Sequence, residues 1–195
     1  MVRKASETRE TRETSIFVEI DIDGEGKYSV DTGIPFFNHM LELFAKHGLF
    51  DLTVRGKGDI EVDYHHLVED TGIVMGLALK KALGDMKGIR RYGFAAVPMI
   101  DAYAEVAMDI SNRPHHVFRC SVETEKVGFF DTELVEEFIR AFSQASGICI
   151  HVNVPYGSNA HHTIEAVFKA LGRALDDATR IDERRADLPT TKGVF

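Results

Sequence analysis

The sequence predicts an internally duplicated α/β fold whose two halves each supply strands and two helices, and three observations carry that prediction. The segment HHLVEDTGIVMGLALKKAL, beginning at His65, aligns without a gap on HHTIEAVFKALGRALDDAT, beginning at His161. Both read HH-x-x-E, with Gly76 over Gly172, Ala78 over Ala174 and Leu79 over Leu175; self-similarity of this kind marks a repeated structural unit. Upstream of each copy the same order recurs: an Asp-Thr turn (Asp31-Thr32 and Asp131-Thr132), an amphipathic stretch ending in glycine (Gly48 and Gly147), then an apolar run. Finally, the composition is that of a folded chain, 195 residues with 44% hydrophobic and 28% charged. A globular chain of this size buries roughly 70% of its unfolded surface and needs no disulfide to hold it.

Each element follows from periodicity and punctuation. Alternation through SIFVEIDI at 15–22 predicts a strand, and the GEG turn after it predicts a hairpin with a short strand at 28–30. Pro35 suits a first helical turn; Phe36, Met40, Leu43, Phe44 and His47 share a helical face, and Gly48 is the expected stop. Residues 49–55 and 60–62 read as strands, and a helix from His65 to Leu83 closes the half at Gly84. The second half reads as strands at 93–98, 102–110 and 116–122, a helix at 132–146, a strand at 148–154 and a helix at 160–179. The halves are thus 1–92 and 93–195, and with no Ser/Gly-rich linker between them they are expected to share an interface as one structural unit. From Asp182 to Phe195 the chain is polar and by composition reads as a flexible tail.

Charge and composition exclude several function classes. With 31 acidic against 23 basic residues the net charge is -8, which argues against a broad nucleic-acid surface. No apolar run approaches the ~20 residues of a bilayer span, so no membrane association is expected. Cys120 and Cys149 are isolated, form no CxxC and read as small core residues; with the charged start MVRKASETRETRE they point to a reducing, cytoplasmic setting.

The nine histidines are unevenly placed, six of them in three adjacent pairs. In HH-x-x-E at a helix start, Glu69 shares a face with His65 and His66, while the two adjacent imidazoles diverge at about 100° per residue. One helix therefore offers ligands in two directions. His65, His66, Glu69, His161, His162 and Glu165 are more donors than one ion takes from protein, so a pair of ions is the simpler account. Nitrogen and oxygen donors without thiolate fit Mn(II), with Fe(II), Co(II) and Zn(II) as competitors. His115-His116 has no Glu at the third position and reads as a non-ligand pair; His47 and His151 read as core or interface groups. His39 lies 26 residues before His65, and the matching position 24 residues before His161 is Glu137. Both residue types ligate divalent ions, and both are equally at home on a helix surface. From the residues alone, a dinuclear hydrolase of phosphate esters and a metal-storing oligomer remain alternatives.

PFFNHMLELFAKHGLFDL, GDIEVDYHHLVED, RPHHVF, FDTELVEEF, HVNVPYGSNAHHTIEAVFKALGRAL and the terminal LPTTKGV together resemble the imidazoleglycerol-phosphate dehydratase family of histidine-biosynthesis lyases, over essentially the whole chain. The resemblance implies a four-stranded sheet and two helices per half, with the helices packed between the sheets. It further implies removal of water from imidazole glycerol phosphate to give imidazole acetol phosphate, two Mn ions per active site, and a homo-oligomeric shell of twenty-four subunits with active sites at subunit contacts. Carried over residue by residue, the metal ligands are His39, His65, His66, Glu69, His161, His162 and Glu165, with Glu137 at a position usually His. The phosphate ligands are Arg91, Arg113, Lys169, Thr190 and Lys192, which would order the tail. Glu13 is the leading catalytic acid/base and Glu165 the second. Two positions depart from the pattern. Tyr64 replaces a common Asp, and Ile100 stands where a carboxylate is usual, which leaves either altered substrate hydrogen bonding or a one-residue shift that lets Asp101 serve.

Overall fold

The computed structural model describes residues 3–193; Met1, Val2, Val194 and Phe195, at the outer ends of the two predicted halves and of the predicted tail, lie outside the described residues. Charged as it is, the N-terminal segment alternates between exposed and half-buried side chains and forms strand β1 (Lys4–Glu10), which no apolar periodicity announced. It pairs antiparallel with β2 (Thr14–Asp21). Next come β3 (Tyr28–Asp31), helix α1 (Pro35–Gly48), β4 (Asp51–Gly58) and α2 (His65–Leu83). The second half runs β5 (Tyr92–Met99), β6 (Ala102–Ile110), β7 (His115–Arg119), a small hairpin of β8 (Lys126–Val127) and β9 (Phe130–Asp131), α3 (Leu134–Ser146), β10 (Ile148–Gly157) and α4 (Ala160–Thr179).

The two large sheets have one topology. Their orders are β1-β2-β4-β3 and β5-β6-β10-β7, and in each the last pairing is parallel while the others are antiparallel. The expected hairpin between 15–22 and 28–30 therefore does not form. β4 inserts between β2 and β3, and the parallel pairing of β3 with β4 needs a crossover, which α1 supplies. The strand expected at 60–62 is instead a turn closed by Val62 N–H donating to the Asp59 carbonyl at 2.8 Å. Ile60 and Val62 are exposed there, because the chain has left the sheet to reach the start of α2. Gly48 ends α1 but does not supply its left-handed residue, which is Leu49 at φ 59°. Cys120 and Cys149 are half-buried rather than core residues. Burial pushes the Cys120 thiol up to about 11 and raises Cys149 as well, so neither is a thiolate at neutral pH.

The helices form the layer between the sheets and pair across the halves. α2 rests on β1, β2 and β4 and packs against α3; α4 rests on β5, β6 and β10 and packs against α1. A run of phenylalanine rings ties the halves together: Phe37 meets Phe138 edge-on at 5.5 Å, Phe138 stacks on Phe168 at 5.5 Å, and Phe44 reaches Phe142 at 6.3 Å. The repeat-equivalent glycines sit where the helices cross. A methyl group on Gly76 would lie 2.7 Å from Ala145 Cβ and 2.8 Å from the Phe142 carbonyl oxygen, and one on Gly172 would run into the Phe44 carbonyl oxygen. Gly48 is required for the same reason, since its own methyl would lie 2.8 Å from the Gly172 carbonyl.

Backbone on both sides leaves little room to relax, so Gly172→Ala is expected to destabilise the protein by about 1–3 kcal/mol. Denaturant unfolding of the metal-free chain measures it, and an unchanged midpoint would contradict the crossing.

Candidate metal centre

Because α1 and α4 cross with their N-terminal turns on the same side, residues from the two halves meet there. His39 of α1 has Nε2 2.8 Å from Glu165 Oε1, and His161 of α4 has Nε2 3.2 Å from the same oxygen. The crossing of α2 and α3 repeats the arrangement with His65, Glu69 and Glu137. In each trio the ligating atoms lie within 4.8 Å of one another. Imidazole and carboxylate donors at this spacing fit a first-row divalent ion, and the absence of sulfur from either set favours a hard or borderline one. His39 and Glu137 thus occupy equivalent places, one in each cluster.

Each cluster carries its own cation. Lys169 donates to Glu165 Oε2 at 2.7 Å, leaving Oε1 to the two imidazoles. Arg140 bridges the other pair of carboxylates, donating from Nη2 to Glu69 Oε1 at 2.8 Å and to Glu137 Oε2 at 2.5 Å. These bonds raise the Arg140 pKa. Glu165 is buried, which by itself raises a carboxyl pKa; hydrogen bonds from Lys169, His39 and His161 outweigh that and bring it down to about 2. Sequence analysis missed Arg140, although its i,i+3 spacing from Glu137 on one helix was a usable signal.

The second imidazole of each pair turns away from these clusters. His66 Nδ1 lies 3.0 Å from Asp59 Oδ2 and 3.9 Å from Glu13 Oε2. The Asp59 hydrogen bond raises the His66 pKa. His162 Nδ1 lies 2.7 Å from Asp101 Oδ1. In the β5–β6 turn Ile100 is 91% exposed, and Asp101 is the residue that meets a paired histidine. Tyr64 is the N-cap residue of α2 and makes no side-chain cap bond; Asp63 Oδ1, one residue earlier, accepts from His65 N–H at 2.7 Å.

A separate cavity of about 710 Å³ gathers Arg91, Arg113, Arg185, Thr190 and Lys192. Arg91 is buried and oriented by a fork onto Asp109, at 2.6 and 3.2 Å, and by donation to the Pro189 carbonyl at 2.7 Å. The tail as far as Pro189 is therefore tied to the segment 88–91 that joins the halves, with Gly88 N–H also donating to the Asp187 carbonyl at 3.0 Å. Lys169 is not among the lining residues. The cavity lies at the opposite end of the sheet from the cluster: Arg91 N–H bonds the Ala178 carbonyl near the end of α4, while Glu165 is in its second turn. Thirteen residues of helix separate them, roughly 20 Å at about 1.5 Å per residue.

A family model described as imidazoleglycerol-phosphate dehydratase matches residues 32–175. The chain belongs to the imidazoleglycerol-phosphate dehydratase family. Relatives of that name in a Geobacillus species and in Thermoanaerobacter pseudethanolicus are 59% and 58% identical, each over 100% of both chains. The crystal structure of imidazoleglycerol-phosphate dehydratase from Staphylococcus aureus superposes with a TM-score of 0.83 at 40% identity, covering 92% of this chain and 99% of that one. The Pyrococcus furiosus structure, in complex with (S)-C348, gives 0.83 at 35% identity over 97% and 100%. As a dehydratase the chain is a hydro-lyase, an enzyme of histidine biosynthesis, and neither the hydrolase nor the storage alternative is retained. Among the described residues no helix is long and apolar enough to cross a membrane.

The depressed Glu165 pKa has a pH signature. Because the folded-state value lies below the ordinary 4.5, the ionised carboxylate contributes stability that is present above that pH and is lost as pH falls toward 2. In metal-free protein, the stability gap between wild type and Glu165→Gln should narrow steadily from about pH 5 to about pH 2 in urea titrations. A gap independent of pH would contradict the assignment.

Proposed function

We propose that this hydro-lyase converts imidazole glycerol phosphate to imidazole acetol phosphate at a dinuclear Mn(II) site. The observation that carries this reading is the pair of equivalent donor clusters, His39, His161 and Glu165 against His65, Glu69 and Glu137. His66 and His162, facing outward, complete the ligand set. Fe(II), Co(II) or Zn(II) would suit the same donors as substitutes. Ions bound there supply Lewis acidity toward the imidazole ring as the side-chain bonds rearrange.

The chain's own groups divide the remaining work. The proton to be removed sits on a carbon that is not next to a carbonyl, so the base must be held close and free to exchange. Glu13, exposed on the β1–β2 turn and 3.9 Å from His66 Nδ1, meets that need. Glu165, held ionised, suits the ligand role, and we therefore assign the proton transfer to Glu13. Arg91, Arg113, Thr190 and Lys192 suit a phosphate dianion, with guanidinium forks on its oxygens and Asp109 fixing the Arg91 plane. Lys169, placed on Glu165, approaches the same phosphate from the metal side.

The substrate is shorter than about 10 Å at bond lengths near 1.5 Å, whereas cluster and anion cavity in one chain are roughly 20 Å apart along α4. One chain therefore cannot hold both ends of it. This supports active sites formed at contacts between copies of the chain; twenty-four subunits is the number that the family resemblance implies. The two unpaired thiols support a reducing cytoplasmic setting.

Metal-stripped protein should regain dehydration on addition of Mn(II), followed by formation of the ketone product; no product with Mn(II) bound would refute the reading. Glu13→Gln should keep its Mn content and assembly while losing about 10²–10⁴-fold in kcat. Unchanged turnover would remove Glu13 from the mechanism. His65→Ala combined with His161→Ala should lose bound metal by elemental analysis, and full occupancy in that variant would overturn the paired site.

A further inference from the structure

His66 and His162 are each gripped at Nδ1 by a carboxylate. An ionised carboxylate only accepts hydrogen bonds, so Nδ1 carries the proton and the lone pair is left on Nε2. That is the tautomer in which an imidazole offers a metal ligand on the side away from its partner. The two grips are not equal. Asp101 is itself anchored through both oxygens, Oδ1 accepting from His162 and Oδ2 accepting from Ser158 Oγ at 2.6 Å, and its backbone carbonyl accepts from Ser158 N–H at 3.2 Å. Asn159, next to Ser158, caps α4 by accepting from His162 N–H at 3.1 Å, so the ring of His162 is fixed from the β5–β6 turn and its backbone from the β10–α4 connection. Asp59 Oδ1, by contrast, is buried without a hydrogen-bond partner among the described residues.

We infer that Asp101 is a positioning residue for metal binding, holding His162 by Nδ1 and leaving Nε2 to take an ion. The inference rests on the dinuclear reading above. Asp101 touches neither substrate nor reacting atoms in this role; it acts through the histidine. Asp59 does the same for His66 with a looser hold.

The test is equilibrium dialysis of the full chain against Mn(II) with elemental analysis. Asp101→Ala should weaken one of the two ions per chain about 10–100-fold, the usual effect of losing a partner behind a metal-bound histidine, and leave the other unchanged. Asp101→Asn keeps an oxygen acceptor for Nδ1–H and should recover most of that affinity. Metal-free Asp101→Asn should melt with wild type, since the amide oxygen keeps an acceptor at this half-buried position. Wild-type affinity for both ions in Asp101→Ala would overturn the inference. So would equal loss in Asp101→Asn and Asp101→Ala with a lowered metal-free melting temperature, which would mark a structural role. Wild-type protein that takes up no Mn(II) would remove the dinuclear reading itself, and the inference with it.

Discussion

The crossing of α1 with α4 through Gly48 and Gly172, and of α2 with α3 through Gly72 and Gly76, is the constraint on which the rest of the structure depends. With no side chain at these positions, backbone meets backbone or small side chain, and the helices approach more closely than ordinary side chains allow. Each pair runs in the same direction, so fixing the crossing point also fixes how far the first turns lie from one another. That places His39 against His161 and Glu165, and Glu137 against His65 and Glu69. A slip of one residue would rotate a donor by about 100° and break the cluster.

The same crossings create an electrostatic demand that the sequence answers differently in the two halves. One cluster holds two imidazoles and one carboxylate with Lys169 on the carboxylate; the other holds one imidazole and two carboxylates with Arg140 between them. A single ammonium suffices for one carboxylate, whereas two carboxylates side by side need a planar fork that reaches both. Lys169 takes Glu165 Oε2 and leaves Oε1 to two imidazoles, and Arg140 takes Glu69 Oε1 and leaves Oε2 3.8 Å from His65 Nε2. The donor groups are therefore arranged before any ion arrives, which lowers the ordering cost of binding one.

Length along the fold sets the remaining geometry. Strands β5 and β6 and helix α4 carry the donor cluster at one end and the Arg91 cavity at the other. The spacing is a property of regular structure, about 1.5 Å per helical residue and about 3.3 Å per strand residue, and no loop adjustment within one chain removes it. The two ends of β5 consequently carry different groups: near one, His162 is held by Asp101, and at the other Arg91 is held by Asp109 and the Pro189 carbonyl.

By itself the sequence determined the duplication, the four helices and the His and Glu residues that head α2 and α4, because these are written in local patterns: HH-x-x-E twice, glycines in register, and apolar positions at helical spacing. α2 and α4 start and stop where those patterns place them, at His65–Leu83 and Ala160–Thr179. Strand order was not written there. β1 carries alternating charges rather than an apolar stripe, and β3 pairs with β4, not with its nearest neighbour in sequence, since sheet pairing is decided by long-range hydrogen bonding and by α1 as the crossover. Nor could spacing alone show that His39 belongs with His161 and Glu165, that Arg140 bridges Glu69 and Glu137, or that Asp101 and not Ile100 faces a histidine. Those contacts join residues up to 126 positions apart, and only the packing of helices across the two halves brings them within bonding distance.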